Sequence, residues 1–246
     1  THLGSAGSGK SSNHEGVGGR GGGAIKIDVS DTFTMNGTLT SNGVVHTGGD
    51  SQGTYGGGSG GSIWIDTKDL VGSGTSLVRA NGGNDDYDGG GGRIAIYYET
   101  NTNFPITDMD KIQAFGDSNA GPGTIYVEQK LKTAPAAKDK LLYVNNNNVN
   151  ALRAGLPEAT YAFEVIEMTE YGDLDVLGEG SVITVTSGSA LVGDTTVPDL
   201  TIYGTINGPT NIAINGVDVG LRGAHTGLVN VDVGIGGIQA GLTIYE

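Results

Sequence analysis

Gly60-Gly61-Ser62-Ile63-Trp64-Ile65 and Gly91-Gly92-Arg93-Ile94-Ala95-Ile96-Tyr97 are two copies of one pattern, a glycine cluster running straight into a short alternating strand. The pattern opens earlier, at Gly21-Gly22-Gly23-Ala24-Ile25-Lys26-Ile27, and returns at Gly121-Pro122-Gly123-Thr124-Ile125-Tyr126-Val127. From Ile25 to Ile63, Ile94 and Ile125 the intervals are 38, 31 and 31 residues, which marks a chain built of stacked units. A second element recurs inside each unit: Leu39-Thr40-Ser41-Asn42-Gly43, Val78-Arg79-Ala80-Asn81-Gly82 and, more loosely, Ile112-Gln113-Ala114-Phe115-Gly116. A single Asn-Gly would suggest a hairpin with residues at positive φ. Recurrence at matching offsets favours like stacked on like, with parallel pairing between units, over an antiparallel sandwich. The Asn-Gly sites are then expected to be corners whose backbone only glycine repeats freely from level to level.

Composition narrows the classes. Glycine supplies 46 of 246 residues against a usual share of about 7%, yet there is no G-X-Y register and only 6 Pro, which excludes a collagen helix. The net charge of −14 repels phosphate backbones, so nucleic acid is not an expected partner. No apolar run of transmembrane length is present. The absence of Cys removes disulfides, thiol nucleophiles and Cys-based zinc sites.

Four regions follow from the pattern: a Gly/Ser-rich N-terminal segment over 1–23, glycine-punctuated repeats over 24–130, a connecting region over 131–160, and a C-terminal β region over 161–246. In the connecting region glycine thins, lysines cluster at Lys130, Lys132, Lys138 and Lys140, and Asn145 to Asn148 form a run; the one helix-compatible stretch is Ala134 to Lys140. The C-terminal region reads either as a continuation of the same stack or as a sandwich. The extra residues of the first unit, Val44 to Tyr55, are expected to bulge as a loop.

The stretch from Gly18 to Gly123, with its NGTLTSNG, GGGSGGSIWI, VRANGG, GGGGRIAIYY and GPGTIYV pieces, resembles the glycine-rich parallel β-helix repeats of very large secreted or surface-anchored, adhesin-like bacterial proteins. The resemblance implies an all-β chain wound as a right-handed parallel β-helix (β-solenoid) with Gly-rich turns. It also implies an extracellular or cell-surface location and use as a stalk, adhesive surface or self-associating fibre, without catalysis. Its rival on the same fold is a polysaccharide lyase or glycoside hydrolase, for which Asp85, Asp86, Asp88, Arg79 and Arg93 are the first candidates.

Gly4-Ser5-Ala6-Gly7-Ser8-Gly9-Lys10-Ser11 satisfies the P-loop pattern letter for letter but lacks the preceding strand and following helix that cradle a phosphate. Asn84-Asp85-Asp86-Tyr87-Asp88-Gly89 is half of a calcium loop, without the Glu that would close it. Ca²⁺ at Asp85, Asp86 and Asp88 competes with a solvated acidic loop. Asp108 with Asp110, and Asp173 with Asp175, are expected in pairs on one strand face. The four His show no zinc spacing. With Ile63 and Ile65 in a core, Trp64 points outward, and Trp64 and Tyr97 become candidate contacts for a glycan or a second subunit.

Overall fold

The computed structural model describes residues 2–8, 16–48, 55–131, 139–187, 191–196, 198–208, 211–222, 225–226, 230–233 and 241–244. These residues are all β, without helix, in several mostly parallel sheets. In the first half the strands are β1 (Gly16–Val17), β2 (Ala24–Met35), β3 (Thr38–Thr40), β4 (Thr47–Gly48), β5 (Ser62–Gly72), β6 (Leu77–Arg79), β7 (Arg93–Tyr98), β8 (Thr100–Thr102), β9 (Ile112–Gln113) and β10 (Thr124–Gln129). Strands β2, β5, β7 and β10 pair in parallel, with Ile25 opposite Ile63, Ile63 opposite Ile94, and Ile94 opposite Ile125. The residues aligned by the sequence intervals are therefore hydrogen-bonding partners. Leu39, Val78 and Ile112 stand in register in the same way across β3, β6 and β9.

The glycine clusters are not turns. They run as extended segments between the two sheets, and their hydrogen bonds have a period of three. Along the central segment, Gly56 and Ser59 donate to Ser8 and Ser5, Gly57 and Gly60 to Tyr87 and Gly90, and Gly58 and Gly61 to Val44 and Ser41. A threefold extended chain makes no internal hydrogen bonds and directs successive N–H groups about 120° apart, so each must find a different neighbouring chain. The carbonyls of Gly56 and Ser59 accept from Gly19 and Gly22 of a further segment.

Such close approach leaves no room for a Cβ. One added at Gly60 would sit 2.0 Å from the Ala80 carbonyl oxygen. In the bordering segment, Gly16, Gly19 and Gly22 face inward, while Val17 and Arg20, one step round the threefold, are exposed. The expected positive-φ corners at Asn42-Gly43 and Asn81-Gly82 are corrected here: among described glycines only Gly178 and Gly216 have positive φ. Glycine stands at position 43 because a Cβ there would strike the Gly58 carbonyl. The asparagines bridge levels, the Asn42 side chain accepting from Asn81 N–H at 2.9 Å and that of Asn81 from Phe115 N–H at 3.0 Å.

The second half has strands β11 (Lys140–Asn145), β12 (Ala154–Leu156), β13 (Thr160–Phe163), β14 (Val165–Thr169), β15 (Leu174–Val176), β16 (Val182–Val185), β17 (Leu191–Val192), β18 (Asp199–Ile202), β19 (Thr205–Asn207), β20 (Asn211–Asn215), β21 (Asp218–Leu221), β22 (His225–Thr226), β23 (Asn230–Val233) and β24 (Gly241–Ile244). From β11 to β21, each strand pairs in parallel with the third strand after it, giving three sheets visited in rotation. The stretch read as connecting thus supplies β11, β12 and the start of β13. Its helix-compatible part lies mostly outside the described residues, as do Gly9 to Ser11 of the P-loop match and Gly49 to Thr54 of the extra loop. The flanks of that loop are packed: Val44 joins the glycine block, and Tyr55 is buried.

The halves join through one antiparallel pair, β10 with β11, inside a sheet that both share. Their cores lie on opposite faces of it. Leu141 and Tyr143 belong to the core of the first half, and Leu142 and Val144 to that of the second. Strand β11 is apolar at successive positions because both of its faces are covered. Since Tyr126 pairs with Leu142, the outer face of the first half is the inner face of the second.

Substitution at glycine separates close approach from conformational freedom. Gly60→Ala is expected to lower stability by about 1–3 kcal/mol or more, the cost of overpacking. Gly23→Ala, with no atom within 4 Å of the new Cβ, is expected to stay within about 0.5 kcal/mol of the parent. Urea denaturation of the two variants measures both.

Candidate functional site

Alternation along β5, β7 and β10 buries Ile63, Ile65, Ile94, Ile96, Ile125 and Val127 and turns Trp64, Ala95, Tyr97 and Tyr126 to the opposite face. Trp64, Ala95 and Tyr126 are in register across the three strands. The small Ala95 leaves a hollow between two rings, and Tyr97 flanks it with centroids 5.6 Å from both Trp64 and Tyr126. Lys26, opposite Trp64 on β2, places its Nζ 4.5 Å over the indole and 3.3 Å from Asp28. The row continues into the second half, where Phe163 is 6.1 Å from Tyr126 and stacks on Tyr161.

Strand β13 stands beside this floor as a wall, and together they enclose a groove of about 430 Å³. The Tyr126 hydroxyl donates to Glu128 at 2.7 Å. Burial, then the hydrogen bond to Glu128 and its charge, hold the Tyr126 phenol well above its ordinary range. Burial and the Glu128 charge also raise Tyr97. Both phenols stay protonated throughout the physiological range, the Tyr126 proton being engaged by Glu128. A second groove of about 310 Å³, walled by glycine backbone and by Ala154 and Gly155, shares His2, Ser62, Arg93 and Thr124 with the first. The shared residues Ser62, Arg93 and Thr124 are themselves in register.

The acidic loop is held differently. Asp85 accepts from the His46 N–H at 2.7 Å and meets the His46 Nδ1 at 2.8 Å, and its own N–H donates to Asp88. Asp88 also accepts from the backbone and side chain of Asn119, while Asp86 receives a long contact from Tyr55 N–H. The His46 ring stacks on Tyr55 at 4.5 Å, so the loop is tied to the edge of the glycine block. Burial pushes Asp85 up, but the N–H groups of His46 and Asp86 and the His46 ring outweigh it and hold the carboxyl below its ordinary 3.8. Among the described residues no group of three or more His, Cys, Asp or Glu is placed to hold a metal ion. Calcium at Asp85, Asp86 and Asp88 is a proposal with a direct test: a melting temperature raised by millimolar calcium in the parent and not in Asp86→Ala.

Trp64 and Tyr97 come together with Tyr126, Tyr161 and Phe163. Arg93 lies on the same floor, whereas Arg79 lies on β6 in another sheet. Asp108 and Asp110 occupy a turn instead of a strand face, Asp108 accepting from the Asp110 N–H. Asp175 shares Arg153 with Asp199, and Thr201 also accepts from that guanidinium. Arg153 carried no sequence signal, because its partners are 22 and 46 residues away.

No family model, curated protein or solved structure matches the chain. Its site is read from its own geometry.

Because the Asp85 carboxyl is held low, its stabilising effect is complete above the ordinary carboxylate range and is lost as pH falls through the depressed value. Asp85→Asn is expected to melt at a lower temperature than the parent at pH 7. The gap should narrow below about pH 4, as followed by thermal melts across a pH series.

Proposed function

We propose that this chain is a non-enzymatic structural and adhesive module of an extracellular surface protein, and that it holds a glycan against the aromatic row. In this reading the chain winds as a right-handed parallel β-helix, in two stacks that meet at the β10–β11 pair. The rotation of strands through three sheets in the second half supports the winding, and the intervals of the first half support it there. The observation that carries the function is the row Trp64, Tyr97 and Tyr126 on a rigid sheet, sunk in a groove with hydrogen-bonding groups at its margins. Flat apolar rings beside polar donors suit the faces and hydroxyls of sugar rings.

Assembly into a fibre belongs to the same proposal, with a restriction. Among the described residues strand β2 pairs on one side only, and its sequence carries Lys26, Asp28 and Asp31 with a register shift between Val29 and Thr32. Charges and bulges of this kind block indiscriminate edge pairing. Self-association therefore requires a partner strand of specific register.

The enzymatic rival draws on residues that lie apart, with Asp85, Asp86 and Asp88 tied to His46 and Asn119, Arg79 on β6, and Arg93 in the groove. A panel of immobilised plant, algal and bacterial polysaccharides separates the readings. Retention of the parent by at least one of them is expected, with loss of retention in Trp64→Ala and Tyr97→Ala and no new reducing or unsaturated ends. Release of such ends, abolished in Asp88→Ala, would instead favour the enzyme. Sedimentation velocity at rising concentration reads the assembly.

A further inference from the structure

The two grooves meet at Arg93, and their chemistry differs on either side of it. Beyond Tyr97 the channel is aromatic and closes on Glu128, which is within 3.8 Å of Lys140. Toward the glycine block it is polar and backbone-lined, with His2 beside Arg93. The Arg93 side chain is exposed, and among the described residues no carboxylate lies within ion-pair distance of it, in a chain of net charge −14. Its field reaches the wall, where it opposes the burial that raises the Tyr161 phenol.

Resting on the glycan reading above, we propose that the two grooves form one channel for an acidic heteroglycan, in which Arg93 binds the carboxylate of a uronate-type sugar while Trp64, Tyr97 and Tyr126 stack the neutral sugars beside it. Guanidinium matches carboxylate geometry in a paired, charge-assisted contact. Neutral neighbours follow from the other charges: the cations near the aromatic end are already engaged, Lys130 with Asp66 at 2.5 Å, Lys140 with Glu128 at 3.8 Å and Lys26 with Asp28 at 3.3 Å. None of them is left to receive a second carboxylate there. The strong overall negative charge likewise disfavours a polymer charged at every unit.

The test uses the whole chain and three probes: a neutral xylo-oligosaccharide, the same backbone bearing one glucuronate, and an oligogalacturonate. Titration calorimetry with tryptophan fluorescence reads affinity. The glucuronate-bearing probe is expected to bind at least about tenfold more tightly than the neutral one, the effect of one charge-assisted hydrogen bond. That advantage should shrink with added salt, vanish in Arg93→Gln and return in part in Arg93→Lys. The advantage is read as the ratio of the two affinities within each variant, and an unchanged circular-dichroism spectrum reports that Arg93→Gln is folded. Oligogalacturonate should bind more weakly than the singly charged probe. Equal affinity for the first two probes, or an advantage that survives Arg93→Gln, overturns the carboxylate assignment while leaving the glycan reading intact. Tightest binding of oligogalacturonate overturns the mixed-glycan assignment. Binding of none of the three, together with no retention on the polysaccharide panel, removes both.

Discussion

Backbone meeting backbone without a side chain between is the constraint on which the first half depends. Extended threefold segments satisfy none of their own hydrogen bonds, so each buried N–H and C=O must be answered by an adjacent chain. Glycine permits that approach, and its loss of freedom on folding is offset by hydrogen bonds in three directions at once, as Gly56 to Gly61 illustrate. The apolar core formed by Ile63, Ile94 and Ile125 needs only two sheets beside it, because this glycine block closes the third side. Glycine content and strand architecture are thus one fact about the chain.

Much of this was legible in the residues. The intervals between Ile25, Ile63, Ile94 and Ile125 are the pairing registers themselves, since a stacked parallel strand repeats its inward residues above one another. The facing of Trp64 followed from alternation alone, given Ile63 and Ile65 in the core. Asn-Gly taken alone suggests a bend, whereas the threefold rhythm of Gly16-Val17-Gly18-Gly19-Arg20-Gly21-Gly22 marks an extended segment. In that rhythm the residues with side chains mark the outer face. The second half was harder, because its strands are short and varied, and its rotation through three sheets shows only when partners about two dozen residues apart are paired. Tyr161, Phe163 and Arg153 could not be placed, because each gains its meaning from an element far along the chain.

The candidate site exists because of one reversal. With β11 antiparallel to β10, the chain crosses to the other face of a sheet it has already built, and the second core begins where the outer surface of the first had been. Strand β13 then rises beside Trp64, Tyr97 and Tyr126 instead of on a separate surface. An aromatic row that would be flat ground becomes the floor of a channel, and Arg93 is held at its middle by register with Ser62 and Thr124.

The unequal lengths of the ladders bear on how the molecule carries load. Strand β5 matches β2 at ten positions, whereas β7 meets it at five and β8 at three more. The β2–β5 pair is the longest ladder among the described residues, so a force applied at β2 is handed on to β5, and with it to the floor of the channel, instead of being spent on fraying the rim.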